Sequence, residues 1–257
     1  MGEQCSALSE TDGGKAAYKD LEIDKSIRPH NQSQIDRIQS SDALKNGEFN
    51  TGQTTFGKYV SWLVFILGLT YALITIGGIL SIASPAEQIG QPYFLLMELL
   101  IILIAPLMGV TMISVHFTTD PDYKIFSLAA TCCMFVMATI TSSVHFVVLS
   151  TGSQLTAHYP FFFTFQWPSI VYALDILAWD WFYALSMFFA ATVFRKTRLE
   201  ISIRITMITS GVLSLTGLLG IPFENMQLRN IGIVGYGLIG PLVFLLIGIS
   251  MKNKRVF

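Results

Sequence analysis

The chain has 257 residues, 52% of them hydrophobic and 13% charged, with a formal net charge of −1 and a mean hydropathy of +0.57. A soluble domain of this length carries about 25% charged residues, so this composition argues for a membrane protein. The near-zero net charge argues against a nucleic-acid partner, whose phosphates call for a basic face.

Residues 1–57 hold nine of the 17 acidic and six of the 16 basic residues, among many Ser, Gln, Asn and Gly. Such a segment buries too little apolar surface to offset its ordering entropy, which predicts a disordered cytoplasmic tail. No apolar run follows the start, so it is not a signal peptide. Met1-Gly2-Glu3-Gln4-Cys5-Ser6 fits the loose myristoylation pattern, with Cys5 as a palmitoyl candidate. A chain with several spans needs no lipid anchor, and a chance match is the simpler reading. Cys132 and Cys133 sit together in an apolar run, a pattern that supports neither a disulfide framework nor a zinc site.

From residue 58 the chain breaks into apolar runs long enough to cross about 30 Å of hydrocarbon. They predict membrane helices over 59–83, 94–117, 127–150, 169–194, 201–221 and 231–251. The breaks are chemical: Ser84-Pro85, the Asp120-Pro121-Asp122 step, Thr151-Gly152-Ser153, the basic run Arg195–Arg198, Pro222 and Lys252. The expected fold is therefore all-α, a polytopic six-transmembrane-helix bundle over 58–257 behind the tail. With the N-terminus inside, all Lys and Arg except Arg229 fall on the cytoplasmic side. That asymmetry predicts that both termini are cytoplasmic.

Residues 151–168 form the one sizeable outer connection and include His158-Tyr159-Pro160-Phe161-Phe162-Phe163 and Phe165-Gln166-Trp167. Aromatic rings favour the membrane interface, so this loop either lies on the outer surface or closes over a cavity as a lid. In the sixth helix Gly232, Gly240 and Gly248 recur at steps of eight and predict a smooth packing strip, with Gly68, Gly77 and Gly78 of the first helix as a receiving surface.

Ionisable groups at membrane depth are costly and usually face a bundle interior or a wet cavity. Glu98, His145, Asp175 and Asp180 are the clear cases, all in the outer half or centre of the bilayer, and Glu224 in an outer loop is a further candidate. On the fourth helix, Tyr172, Asp175, Trp179, Asp180 and Tyr183 fall within one arc at about 100° per residue. Asp175 and Asp180 point about 140° apart on an ideal α-helix, on two walls of one cavity. These seven residues are the candidate ligand- or proton-binding groups. The bland alternative is that the buried carboxylates only fix helix packing through Ser, Thr, Tyr and Trp donors.

Several chemistries lack their motifs. The sixth helix holds no lysine for a retinal Schiff base, and there is no Gly-x-Ser-x-Gly elbow, no Gly-x-Gly-Asp motif and no phosphate loop. The multiple-histidine pattern of ceramidase-like membrane hydrolases is absent too. A zinc site built on His145 with Glu98 and Asp175 would have a single imidazole ligand, so no metal and no cofactor is expected. The leading expectation is binding or passage of a small ligand or proton through an outward-facing polar cavity. The partners would then be the lipid bilayer and a small-molecule or lipid ligand. An intramembrane enzyme acting on a lipid-like substrate by acid/base chemistry is the second class. A structural or assembly subunit is the third.

Overall fold

In hydrocarbon a backbone amide finds no water, so a spanning stretch must close its own hydrogen bonds, and an α-helix does so within one segment. The computed structural model describes residues 27–83 and 89–253. It is 86% helical with no strand among the described residues. Six helices are long and apolar enough to cross a membrane: α1 (Gly52–Ser81), α2 (Tyr93–Phe117), α3 (Pro121–Thr151), α4 (Ile170–Ala191), α5 (Arg198–Gly220) and α6 (Met226–Lys252). The protein is a multi-pass membrane protein.

The chain divides into two units, Met1–Asn46 and Gly47–Phe257, and all six spans lie in the second. Among the described residues of the first unit, 27–46 are helical. The part of the tail expectation that concerns residues 1–26, including the Met1–Ser6 start, lies outside the described residues.

Side-chain contacts set the alternation of the helices. Gly77 of α1 lies against Tyr93 at the start of α2, while Gly57 lies against Ser114 near the end of α2. Glu98 and His116 of α2 meet His145 and Ser127 of α3, in reversed order along the chain. Ser186 of α4 donates to the Ala130 carbonyl of α3, and Tyr183 of α4 pairs with Ser210 of α5. Gly217 of α5 touches Gly232 of α6, and Gly248 of α6 touches Trp62 of α1. Each helix thus runs opposite to its chain neighbour. The far end of the bundle carries the α1–α2, α3–α4 and α5–α6 connections. The near end carries the other two connections, the start of α1 and the end of α6.

The outward faces are apolar, as lipid contact requires: Leu63, Ile66, Leu73, Leu103, Trp181 and Leu238 are all exposed. Inside, Met108, Met112, Met134, Met137, Met187 and Met207 fill much of the core, where unbranched side chains adapt to irregular gaps. Only 17% of the most apolar stretch of α1 is buried, against 56% for α4, so α1 is a peripheral wall and α4 the central post.

Three local departures from the expected elements matter for the site. The helix that contains α3 does not stop at Thr151-Gly152-Ser153 but continues to His158, because no proline intervenes before Pro160. The chain then forms one helical turn, Pro160–Phe163, and returns to Ser169, whose Oγ caps α4 by accepting from the Tyr172 amide at 3.2 Å. Helix α6 begins at Met226 rather than Ile231, which brings Arg229 into the bundle. Finally, α4 and α6 are not regular: Leu177–Tyr183 and Val234–Ile239 are π-helical. In these turns i→i+5 bonds replace the usual i→i+4 ones, and such turns cluster at functional sites.

Candidate functional site

The π-helical stretch of α4 changes which residues share a face. Bonds that span five residues bring positions five apart close to register, so Asp175 and Asp180 do not diverge as they would on an ideal helix. Both carboxylates point to the same guanidinium. Arg229 Nη2 donates to Asp175 Oδ2 at 2.5 Å, and Arg229 Nε lies 3.5 Å from Asp180 Oδ2. The chain of contacts continues to α3 and α2. His145 Nε2 is 3.2 Å from Asp175 Oδ1, and His145 Nδ1 is 2.7 Å from Glu98 Oε2. Five ionisable side chains from four helices thus form one line, Glu98–His145–Asp175–Arg229–Asp180, with every member at most 4% exposed.

Neutral and aromatic groups hold this line in place. Thr141 Oγ1 lies 3.5 Å from Asp175 Oδ1 and accepts from Trp179 Nε1 at 2.8 Å. The Arg229 guanidinium sits over the Tyr172 ring at 4.2 Å, a cation–π contact that gains strength where water is excluded. Phe165 packs on His145 and Tyr172, with ring centroids at 5.3 and 5.4 Å. The 151–168 connection therefore contributes a ring to the site, as the lid reading expects, while Phe161 and Phe162 of the same segment stay exposed.

Asp180 is the unusual member. It is 0% exposed, and neither carboxylate oxygen accepts a hydrogen bond. Its Oδ1 fits between two glycines: a Cβ added to Gly217 or Gly232 would lie 2.8 or 2.5 Å from it. Gly232 is thus needed to admit a carboxylate, and the packing-strip reading of α6 is incomplete. Gly240 likewise admits the Tyr183 hydroxyl, and Gly248 faces Trp62. On the α1 side, Gly68 meets Pro241 of α6, while Gly77 and Gly78 meet Tyr93 and Ile89 instead.

A half-open cavity of about 470 Å³ lies between α1, α2 and α6, with α4 as its floor. Glu98, His145, Tyr172, Asp175, Trp179 and Arg229 all line it. Of the seven residues selected from the sequence, five line the cavity and two do not. Asp180 is held behind Arg229. Tyr183 turns toward α5, where its hydroxyl pairs with Ser210 Oγ at 2.7 Å. Glu224 is exposed in the α5–α6 connection with φ 48° and is not part of the cluster.

Polarity is confined to one part of the cavity. Its charged residues lie toward the far end, whereas the wall toward the near end is Val64, Ile104, Met108, Pro241 and Phe244. Along α2 the lining runs from Phe94 to Met108, about 21 Å at 1.5 Å per residue. Among the described residues, no group of His, Cys, Asp and Glu is arranged to hold a metal ion.

Sequence reasoning missed Arg229, Tyr236 and Tyr71. Arg229 had a signal: it is the one basic residue on the side of the membrane where the acidic side chains gather. Tyr236, stacked on Trp179 at 4.9 Å, and Tyr71, on the cavity wall, carried none. No protein-family model, curated protein or solved structure matches this chain, so the reading of the site rests on its geometry.

Proposed function

We propose that this protein binds a small single-chain amphiphile within the membrane. The apolar part of the ligand occupies the slot toward Met108 and Phe244, and its polar group meets the Glu98–His145–Asp175–Arg229 line. One observation carries this reading: the slot has all its charged lining residues toward the far end and an apolar wall toward the near end. Its volume lies within the range of small-molecule sites, about 300–1,000 Å³, which are mostly apolar with a few converging polar groups. On the expected topology the polar end faces outward, and the ligand enters from the outer half of the bilayer.

The second reading is an intramembrane enzyme acting on a lipid-like substrate, and the 2.7 Å Glu98–His145 contact on the slot wall favours it. With a carboxylate at each ring nitrogen, however, His145 has no lone pair left to activate a nucleophile. That reading therefore requires Glu98 as the acid/base group.

The test is extraction. Full-length protein is purified from its membrane in mild detergent, and its bound small molecules are identified by mass spectrometry. The same is done for Gly237→Phe. Gly237 lines the slot, and a side chain there meets only Ile233 Cγ2, at 3.7 Å. A single-chain molecule retained at near-unit stoichiometry by the parent and lost from the variant supports the proposal. Equal retention by both sinks it. Conversion of the recovered ligand class on incubation with the parent, abolished by Glu98→Gln, moves the reading to the enzyme.

A further inference from the structure

We infer that the ligand's polar group is a cation, an ammonium carried on a single alkyl chain. This rests on the amphiphile reading above and adds the sign of the charge. Among the described residues, the charged side chains at the polar end are Glu98 of α2, His145 of α3, Asp175 and Asp180 of α4, and Arg229 of α6. Helices α1 and α5 bring only the uncharged Tyr71, Ser214 and Gly217 near them. Three carboxylates face one guanidinium and one imidazole. Even with His145 counted as fully positive, one negative charge is left over.

Every member of the line is at most 4% exposed, and an unbalanced buried charge is strongly disfavoured. Arg229 is already drawn to the protein's own carboxylates: its Nη2 is on Asp175, its Nε faces Asp180, and its plane covers Tyr172. The balance is either a proton on a carboxylate or a cation that the ligand carries. The walls suit a cation. Tyr71, Phe94, Phe165, Tyr172, Trp179 and Tyr236 all line the slot, and aromatic faces attract ammonium groups. An anionic head would face the Glu98 and Asp175 carboxylates on the slot wall.

The slot fits the chain. Its lining spans about 21 Å along α2, from Phe94 to Met108, room for an extended alkyl chain of medium length. Dodecylamine, charged at neutral pH, is a probe of this size, and dodecanol and dodecanoate differ from it only in the head. Binding of the three tritiated probes is measured at pH 7 on full-length protein in phosphatidylcholine nanodiscs, with empty nanodiscs as the blank. The expected result is saturable binding, with dodecylamine at least tenfold tighter than either of the others, and Glu98→Gln removing that preference. Dodecanol or dodecanoate binding as tightly as dodecylamine would overturn the charge inference, with a proton as the balancing charge, and leave the amphiphile reading intact. No saturable binding of any probe would overturn both. The parent comparison alone decides the sign of the charge, so a Glu98→Gln protein that fails to fold does not blunt the test.

Discussion

Two glycines on α6, five residues apart, should respond to the same substitution with opposite signs. Gly237 has open space: an added Cβ meets only Ile233 Cγ2 at 3.7 Å. Replacing a helical glycine by alanine removes a backbone entropy cost of about 0.5–1 kcal/mol, so Gly237→Ala should stabilise by that amount. Gly232 gives the same entropic gain but has no room. Its Cβ would lie 2.5 Å from Asp180 Oδ1, with Gly217 Cα at 3.2 Å and the Ser214 carbonyl at 3.3 Å behind it. Asp180 is fully buried and cannot swing aside. Overpacking of this kind costs about 1–3 kcal/mol, and it separates a carboxylate from its guanidinium. Gly232→Ala should therefore destabilise by about 1–3 kcal/mol net. At about 2–4 °C per kcal/mol for a chain of this size, thermal unfolding in one detergent should place the two variants on opposite sides of the parent. If Gly232→Ala melts at or above the parent temperature, Asp180 is not lodged between Gly217 and Gly232, and the description of α4 as the central post fails.

Three further outcomes follow from the same contacts. Arg229→Met should destabilise by about 3–5 kcal/mol, because it leaves two buried carboxylates without their partner. Adding Asp175→Asn and Asp180→Asn should restore much of the loss, which urea or thermal unfolding of the single and triple variants will show. Thr141→Val should cost about 1–3 kcal/mol by orphaning the Trp179 indole N–H. Combined with Trp179→Phe the cost should not add, so a double-variant cycle with independent effects would refute the 2.8 Å bond. On the expected topology, a cysteine placed at exposed Phe161 should react with an impermeant maleimide from outside intact cells, and one at exposed Lys196 should not. The reverse pattern would invert the orientation.

Much of the fold was legible because its causes are local. Six apolar runs, each closed by proline, charge or a polar turn, give the six spans, although the helix that contains α1 begins at Ile27, inside the expected tail, and the one that contains α3 runs on to His158. The largest misreadings occur where a local signal loses to continuity. Thr151-Gly152-Ser153 looks like a turn, but glycine and serine do not stop a helix that has no reason to turn. Arg229 looks like a loop residue, yet ion pairing with Asp175 and Asp180 draws it into the first turns of α6. The candidate site was legible in its membership, since a carboxylate or imidazole in an apolar run is conspicuous. Its arrangement was not. A fixed 100° per residue cannot foresee the π-helical stretch that turns Asp175 and Asp180 toward one partner. Nor does any pattern in α1 mark Tyr71 as part of a wall, because α1 is apolar on all sides and its inward face is chosen by its neighbours.

The most direct measurement on the amphiphile slot is where a bound chain lies. A single-chain amphiphile with a diazirine near its tail end is photolysed on the full-length protein in nanodiscs, and the labelled residues are mapped by peptide mass spectrometry. A chain in the slot gives saturable labelling of Ile104, Met108 and Phe244 on its wall, suppressed by unlabelled ligand and by Gly237→Phe. Labelling confined to the lipid-facing Leu63, Leu73 and Leu103, rising with probe without saturation, would contradict it.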